Sequence, residues 1–162
     1  MRTVDWSRVK AIAFDFDGVF TDDRVWVSQT GEESVACSRS DGMGIGLLRQ
    51  AGVQLIIISK EPNPVVSARA RKLSLEVIQG CDDKLPEFTR WLKRIGISPE
   101  HSAFMGNDIN DLECMKHAAI AIAPADAHPA ALAVADYVTQ KTGGNGAIRE
   151  IGDAISALAN NQ

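Results

Sequence analysis

Asp15 and Asp17 stand two residues apart at the end of an apolar run and are followed at once by Gly18. On an extended strand such residues point to the same side, roughly 7 Å apart along the chain. A glycine there lets the chain turn back over them. Two carboxylates this close repel unless a cation lies between them. An all-oxygen donor set with room for waters suits Mg²⁺ better than zinc. An Asp-x-Asp-Gly run alone is equally an ordinary acidic turn, so the other reactive residues must decide. Ser59 closes the most hydrophobic run, Lys84 opens an amphipathic stretch, and Gly106-Asn107-Asp108-Ile109-Asn110-Asp111 follows a further apolar run. Taken singly, Ser59 could cap a helix, Lys84 could be a solvated charge, and residues 107–111 could be an Asx-turn with an N-cap. In this order, at successive strand ends, they form a set for phosphoryl transfer. The roles are a carboxylate nucleophile, a hydroxyl to hold phosphate, an ammonium to neutralise it, and further carboxylates for a metal. A phosphate dianion enters a pocket holding Asp15, Asp17, Asp108 and Asp111 only if a divalent cation and Lys84 offset their charge.

The elements that would position these groups alternate. Residues 10–16, 53–58, 75–78, 102–105, 119–123 and 137–138 read as strands, and β-branched residues make 53–58 a central one. Residues 43–50, 65–73, 85–95, 110–117, 129–134 and 147–159 read as helices. Ser40-Asp41 offers an N-cap for the first of these, Gly52 its stop, and Pro64 the start of the second. Two short alternating runs around Gln29-Thr30-Gly31 read as a hairpin. Strands alternating with helices predict an α/β fold, a Rossmann-like three-layer parallel sheet with a β-hairpin after the first strand. In such sheets the site lies at the carboxyl ends of the strands.

The chain of 162 residues corresponds to about one domain, 1–162. Its 45% hydrophobic and 23% charged residues are those of a globular protein, which argues against disorder. Seventeen basic against 21 acidic residues give a net charge of −4. That balance argues against nucleic acid or an anionic membrane as the main partner. Cys37, Cys81 and Cys114 are odd in number and widely spaced, as in a reduced cytosolic protein. Residues 1–10 include Asp5 and lack the apolar core of a signal peptide, and no run approaches membrane-spanning length. A cytoplasmic location is expected.

Phe14-Asp15-Phe16-Asp17-Gly18-Val19, Ile58-Ser59, Lys84 and residues 106–111 together resemble the four motifs of the haloacid dehalogenase superfamily of phosphatases. The resemblance implies Asp15 as a nucleophile that forms an aspartyl phosphate and Asp17 as general acid and base. It implies Mg²⁺ bound by Asp15, the backbone carbonyl of Asp17, and Asp108. Ser59 and Lys84 would hold the phosphoryl oxygens, with Asn107 and Asp111 around the metal ligands. Many relatives have Asp where Asn107 stands, which leaves open whether Asn107 or Asp108 touches the metal. Neither the interval from Asp17 to Ser59 nor that from Ser59 to Lys84 has room for an inserted cap domain. The chain is similar, over about residues 10–152, to the capless group acting on phosphorylated 8- and 9-carbon keto sugar acids. That group forms homotetramers in which a neighbouring subunit closes the pocket.

Within the group, residues 59–72 resemble the 2-keto-3-deoxynononate 9-phosphate phosphatases and the phosphatase-like domain fused to acylneuraminate cytidylyltransferases. The Gly-Arg pair usual in 3-deoxy-manno-octulosonate 8-phosphate phosphatases is absent here. The resemblance implies a nonulosonate 9-phosphate substrate, from sialic acid biosynthesis, with the octulosonate 8-phosphate as the alternative. Arg69 and Lys72, three apart on one helix face, and Glu61 would then meet the sugar acid's carboxylate and hydroxyls. Residues 69–72 could equally be a solvated helix face. Arg149 could reach a neighbour's pocket through a flexible Gly143–Gly146 segment or merely decorate the last helix. His128 reads as structural, and Asp23, unusual in the group, as a change in the hairpin turn. A response-regulator receiver would carry its phosphorylated Asp on the third strand, where this chain has Ser59. A silent oligomerisation module would be expected to lose the first-motif carboxylates, which are present.

Overall fold

The computed structural model describes residues 4–159. After a short 3₁₀ turn, β1 (Ala11–Phe14) leads to a two-stranded ribbon, β2 (Trp26–Val27) and β3 (Glu33–Ser34). Then follow α1 (Arg39–Gln50), β4 (Gln54–Ile58), α2 (Val65–Leu73), β5 (Glu76–Ile78), α3 (Lys84–Ile95) and β6 (Ser102–Met105). The chain ends with α4 (Leu112–His117), β7 (Ile120–Ala123), α5 (Pro129–Val134), β8 (Tyr137–Val138) and α6 (Ala147–Ala159). The six main strands form one parallel sheet in the order β5-β4-β1-β6-β7-β8. The order reverses at β1, the place where open α/β sheets bind ligands beyond their carboxyl ends.

Every residue of β1, β6 and β7 is buried, as expected of strands covered on both faces. Alternation sorts the side chains to two cores. Ile12, Phe14 and Ile57 pack with Ile45, Leu48, Val66, Ala70, Ile148 and Ile151, which places α1, α2 and α6 on one face. Ala11, Ala13, Ile56 and Ile58 pack with Phe88, Trp91, Leu92, Cys114 and Met115, which places α3 and α4 on the other. Just past β1, Phe16 and Phe20 stack at 5.8 Å and Phe20 meets Phe14 edge-on at 5.6 Å. Each such fully buried ring contributes about 1.5–3 kcal/mol relative to exposure. The turn carrying the acidic pair therefore begins from a rigid aromatic base.

Three local expectations change. Helix α1 begins at Arg39, because Ser38 and not the Ser40-Asp41 pair is its cap: the Ser38 hydroxyl accepts from the amides of Ser40 and Asp41. Residues 110–117 split into a 3₁₀ turn at Ile109–Asp111 and α4, since Asp108 and Asp111 form a capping box that tightens the entry. The Gly143–Gly146 segment is no flexible linker. Gly143 and Gly146 are buried, Gly143 N–H donates to Asp126 Oδ1 at 2.9 Å, and Gly144 N–H donates to the Val19 carbonyl at 3.0 Å. Asp23 does sit in the left-handed region (φ 64°) at the entrance to the ribbon. No helix among the described residues is long and apolar enough to cross a membrane.

Candidate active site

Asp15 is the first residue beyond β1. Its amide donates to the Met105 carbonyl at 2.9 Å, so the ladder to β6 continues one step and fixes its backbone. Its Oδ1 accepts from the Phe16 amide at 2.7 Å and lies 2.7 Å from Lys84 Nζ. Lys84, the first residue of α3, is buried, and the same Nζ donates to Asp111 Oδ1 at 2.7 Å. Asp111, fully buried, accepts through Oδ2 from the amides of Asn107 at 2.9 Å and Asp108 at 3.3 Å. One carboxylate thus anchors both the ammonium and the loop after β6. There is no room beside it: a Cβ on Gly106 would lie 2.4 Å from the Asp111 Cβ.

Burial, and next the charge of Asp111, push the Asp15 carboxyl up to about 8 against the pull of Lys84. Burial also works against the charge on Lys84, but the two carboxylates overcome it and hold its pKa above the ordinary lysine range. With Asp15 ionised the cluster is one cation short of balance, since two carboxylates then share one ammonium in the interior.

Asp17 is half-buried in the turn after β1. Burial, then the neighbouring Glu61 and Asp23, raise its carboxyl to about 6, against Lys84 and a hydrogen bond from Thr21. A carboxyl poised there can give and take a proton near neutral pH. Glu61 reaches this neighbourhood from the loop after β4. Its Oε1 accepts from the Asn63 amide at 2.7 Å, and Asn63 Nδ2 donates to Glu33 Oε2 at 3.1 Å, which ties the loop to the ribbon. Ser59 is buried at the end of β4, and its hydroxyl accepts from the Glu61 amide at 3.1 Å.

Beside this group, Gly18, Asp23, Asn107, Asp108, Asp126 and His128 line a cavity of about 230 Å³. Asn107 is 8% exposed and its Oδ1 is buried without a hydrogen-bond partner. An acidic wall, rich in carboxylate oxygen and with one orphaned buried amide oxygen, fits a hard divalent cation or its water shell. Among the described residues no three acidic, histidine or cysteine side chains gather into a metal cage. A cation here would lean on backbone oxygen and water, as Mg²⁺ characteristically does. His128 accepts from the Ala130 amide at 3.2 Å and so caps α5, a structural role.

The remaining expected substrate residues are not gathered at this point. Arg69 Nη2 donates to the Ser38 carbonyl at 2.8 Å, while its Nε is buried without a partner. Lys72 is exposed on α2. Arg149 lies on α6 and pairs with Asp153 at 2.8 Å, facing a groove formed with Tyr137, Lys141 and Glu150. Spacing along the sequence did not reveal two buried residues that hold the site together. Thr21 acts within its own turn, accepting from the Gly18 and Asp23 amides, and Asp41 acts on the far end of the chain; their only local signals were a threonine in the Gly18–Thr21 turn and an acid inside a helix start. Asp41 accepts from the amides of Gly146 and Arg149 and so satisfies the first turn of α6.

The sequence profile of the haloacid dehalogenase-like hydrolases matches residues 54–151. The 3-deoxy-D-manno-octulosonate 8-phosphate phosphatase KdsC of Escherichia coli K12 is 34% identical over 148 residues, 91% of this chain and 79% of that protein. A HAD family hydrolase from Streptomyces avermitilis superposes with a TM-score of 0.93 at 42% identity, over 98% of this chain and 91% of that one. The 3-deoxy-D-manno-octulosonate 8-phosphate phosphatase of Moraxella catarrhalis, solved with magnesium ion, phosphate ion and KDO, gives 0.89 at 34% identity. That likeness covers 97% of this chain and 95% of the other.

Proposed function

The chain belongs to the haloacid dehalogenase-like hydrolases and is a phosphoric monoester hydrolase, and from that premise we propose that its substrate is a phosphorylated keto sugar acid of the nonulosonate 9-phosphate type. The observation that carries the reading is Glu61, whose charge acts directly on Asp17 from the rim of the site. A carboxylate there suits the hydroxyls of a sugar chain leaving the phosphoester. Arg69 and Lys72 on α2, and Arg149 on α6, are proposed to meet the substrate's own carboxylate in the assembled oligomer. The octulosonate 8-phosphate is a second reading, favoured by the identity to KdsC and to the Moraxella enzyme.

In the reaction, Asp15 attacks phosphorus through Oδ2, since its two contacts to Phe16 and Lys84 both fall on Oδ1. The bond from phosphorus to the sugar oxygen breaks, its electron pair stays on that oxygen, and Asp17 supplies the proton. Water then attacks the aspartyl phosphate, losing its proton to Asp17, and Asp15 leaves as a carboxylate with inorganic phosphate released. Ser59 and Lys84 hold the phosphoryl oxygens. Asp15, the Asp17 carbonyl and Asp108, with Asn107 beside them, would hold Mg²⁺, which would supply the positive charge that the phosphate dianion and clustered carboxylates lack. Asp111 acts by holding Lys84 and the amides of Asn107 and Asp108.

Release of phosphate from a panel of 8- and 9-carbon keto sugar acid phosphates, with Mg²⁺ or with chelator, tests this. A nonulosonate 9-phosphate is expected to show the highest kcat/KM and chelation to abolish turnover. Preference for the octulosonate 8-phosphate would select the second reading.

Val25, Trp26 and Val27 on the ribbon, and Met43 on α1, expose 51%, 73%, 62% and 62% of their surface. Apolar groups this exposed, at the mouth of a site without a cap, suit burial against another copy. We infer a cytoplasmic homotetramer in which a neighbour's ribbon closes the pocket. Light scattering is expected to give about four times the chain mass of 17.4 kDa, and Trp26→Glu to reduce it. A mass of 17.4 kDa for the unaltered protein would exclude the assembly.

A further inference from the structure

The carbonyl of Asp17 belongs to the same peptide as the amide of Gly18, and a planar trans peptide points the two in opposite directions. Whatever holds that amide therefore aims that carbonyl. The Gly18 N–H donates to Thr21 Oγ1 at 3.1 Å. Thr21 is fully buried, and the same oxygen accepts from the Asp23 amide at 3.2 Å. One hydroxyl thus ties both ends of the turn, using both of its acceptor sites. Gly18 itself sits at φ +73°, and a Cβ there would lie 1.9 Å from Asn107 Nδ2. The peptide is walled on that side by the amide of Asn107, whose Oδ1 is buried without a partner.

The turn is also closed from the far end of the chain. A Cβ on Gly143 would lie 1.9 Å from the Gly18 carbonyl oxygen, and one on Gly144 2.6 Å from the Thr21 carbonyl carbon. Only glycine allows backbones to approach this closely. Residues 140–146 are in turn bracketed by carboxylates. Glu150 Oε2 accepts from the amides of Gln140 at 3.0 Å and Lys141 at 3.2 Å, Asp126 Oδ1 from Gly143 at 2.9 Å, and Asp41 Oδ2 from Gly146 at 3.2 Å. The Gly144 N–H donates to the Val19 carbonyl at 3.0 Å and joins this strap to the turn.

We propose that Thr21 and Gly143 are positioning residues that aim the Asp17 carbonyl toward the cation the site would hold, and so set a preference for Mg²⁺ over a larger divalent ion. The inference rests on the Mg²⁺ reading given above. Mg²⁺ demands near-octahedral oxygen geometry, whereas Ca²⁺ accepts larger and less regular sets of ligands. An oxygen whose direction is fixed by a buried hydroxyl and by a packed strap suits the first ion. Freed to swing, it would still serve the second. Neither Thr21 nor Gly143 carries a charge, so replacing them alters geometry and leaves the charge of the site as it was.

The experiment titrates MgCl₂ and, separately, CaCl₂ into the metal-free protein by calorimetry, with the melting temperature in chelator as a check on folding. Thr21→Val and Gly143→Ala are expected to weaken Mg²⁺ binding about ten- to a hundredfold and Ca²⁺ binding by no more than about threefold. Thr21→Ser keeps the hydroxyl and is expected to bind both ions within about twofold of the unaltered protein. If Thr21→Val does not accumulate as folded protein, Gly143→Ala decides. Equal losses for both ions, or a Thr21→Ser variant as impaired as Thr21→Val, would overturn the assignment. The two readings fail separately. Unaltered protein that binds neither ion defeats the Mg²⁺ reading and takes this inference with it. Unaltered protein that binds Mg²⁺, with variants that match it, defeats the positioning role alone.

Discussion

Asp15→Asn is expected to lower kcat by at least about a thousandfold while leaving the protein as stable as before, or more so. The loss follows from removing the attacking carboxylate. The stability follows from geometry. Both bonds to Asp15 use Oδ1, and an asparagine oxygen can accept from the Phe16 amide and from Lys84 in the same way. What disappears is a buried charge facing Asp111. The folded-state pKa of Asp15 is about 8, raised from 3.8 by burial and by Asp111. The folded state therefore binds more protons than the unfolded state between those values, and stability falls as pH rises through that window. The asparagine variant lacks this loss. In chelator its melting temperature should exceed that of the unaltered protein at pH 8, with the gap closing toward pH 4. Mg²⁺ should raise the melting temperature of the unaltered protein only. Full activity in the variant would dismiss the aspartyl phosphate. A lower melting temperature at pH 8 would dismiss the electrostatic account.

The same cluster marks the boundary of what spacing along the chain can reveal. Asp15, Ser59, Lys84 and Asp108 were legible because each follows a run too apolar to be anything but a buried strand, or opens the helix after one, and a parallel sheet gathers such ends. Strand and helix positions were legible for the same reason, with errors of a few residues where two caps compete, as at Ser38 and Ser40. The direction in which a side chain points was not legible. Asp111 was expected beside the metal ligands, but nothing in the spacing shows that its Oδ1 and Oδ2 serve Lys84 and the loop after β6 separately. Gly143-Gly144 suggested looseness, because glycine permits it. Whether glycine means freedom or close approach depends on what lies opposite, here the turn at 18–22. Asp41 looked like a cap for its own helix and instead serves α6.

Lys84→Met should be the most damaging single change, costing about 3–5 kcal/mol of stability as well as activity. The ammonium is buried and lies 2.7 Å from Asp15 and 2.7 Å from Asp111. Methionine fills the volume but leaves two buried carboxylates facing each other with no cation between them. The penalty is that of the uncompensated partners more than of a lost attraction. Changing Asp111 as well should therefore recover much of it. The substitution Asp111→Asn would keep an oxygen for the amides of Asn107 and Asp108 and shed the charge. The expected order in urea unfolding places the double variant, Lys84→Met with Asp111→Asn, above Lys84→Met alone. A positive coupling of more than about 1 kcal/mol from the four-member cycle would mark the pair as interacting. Phosphatase activity should not return with stability, because the phosphoryl group still lacks the ammonium that neutralises it. If the double variant were no more stable than Lys84→Met, the lysine would be filling space, not balancing charge. If the double variant regained activity, Lys84 would be serving the fold alone.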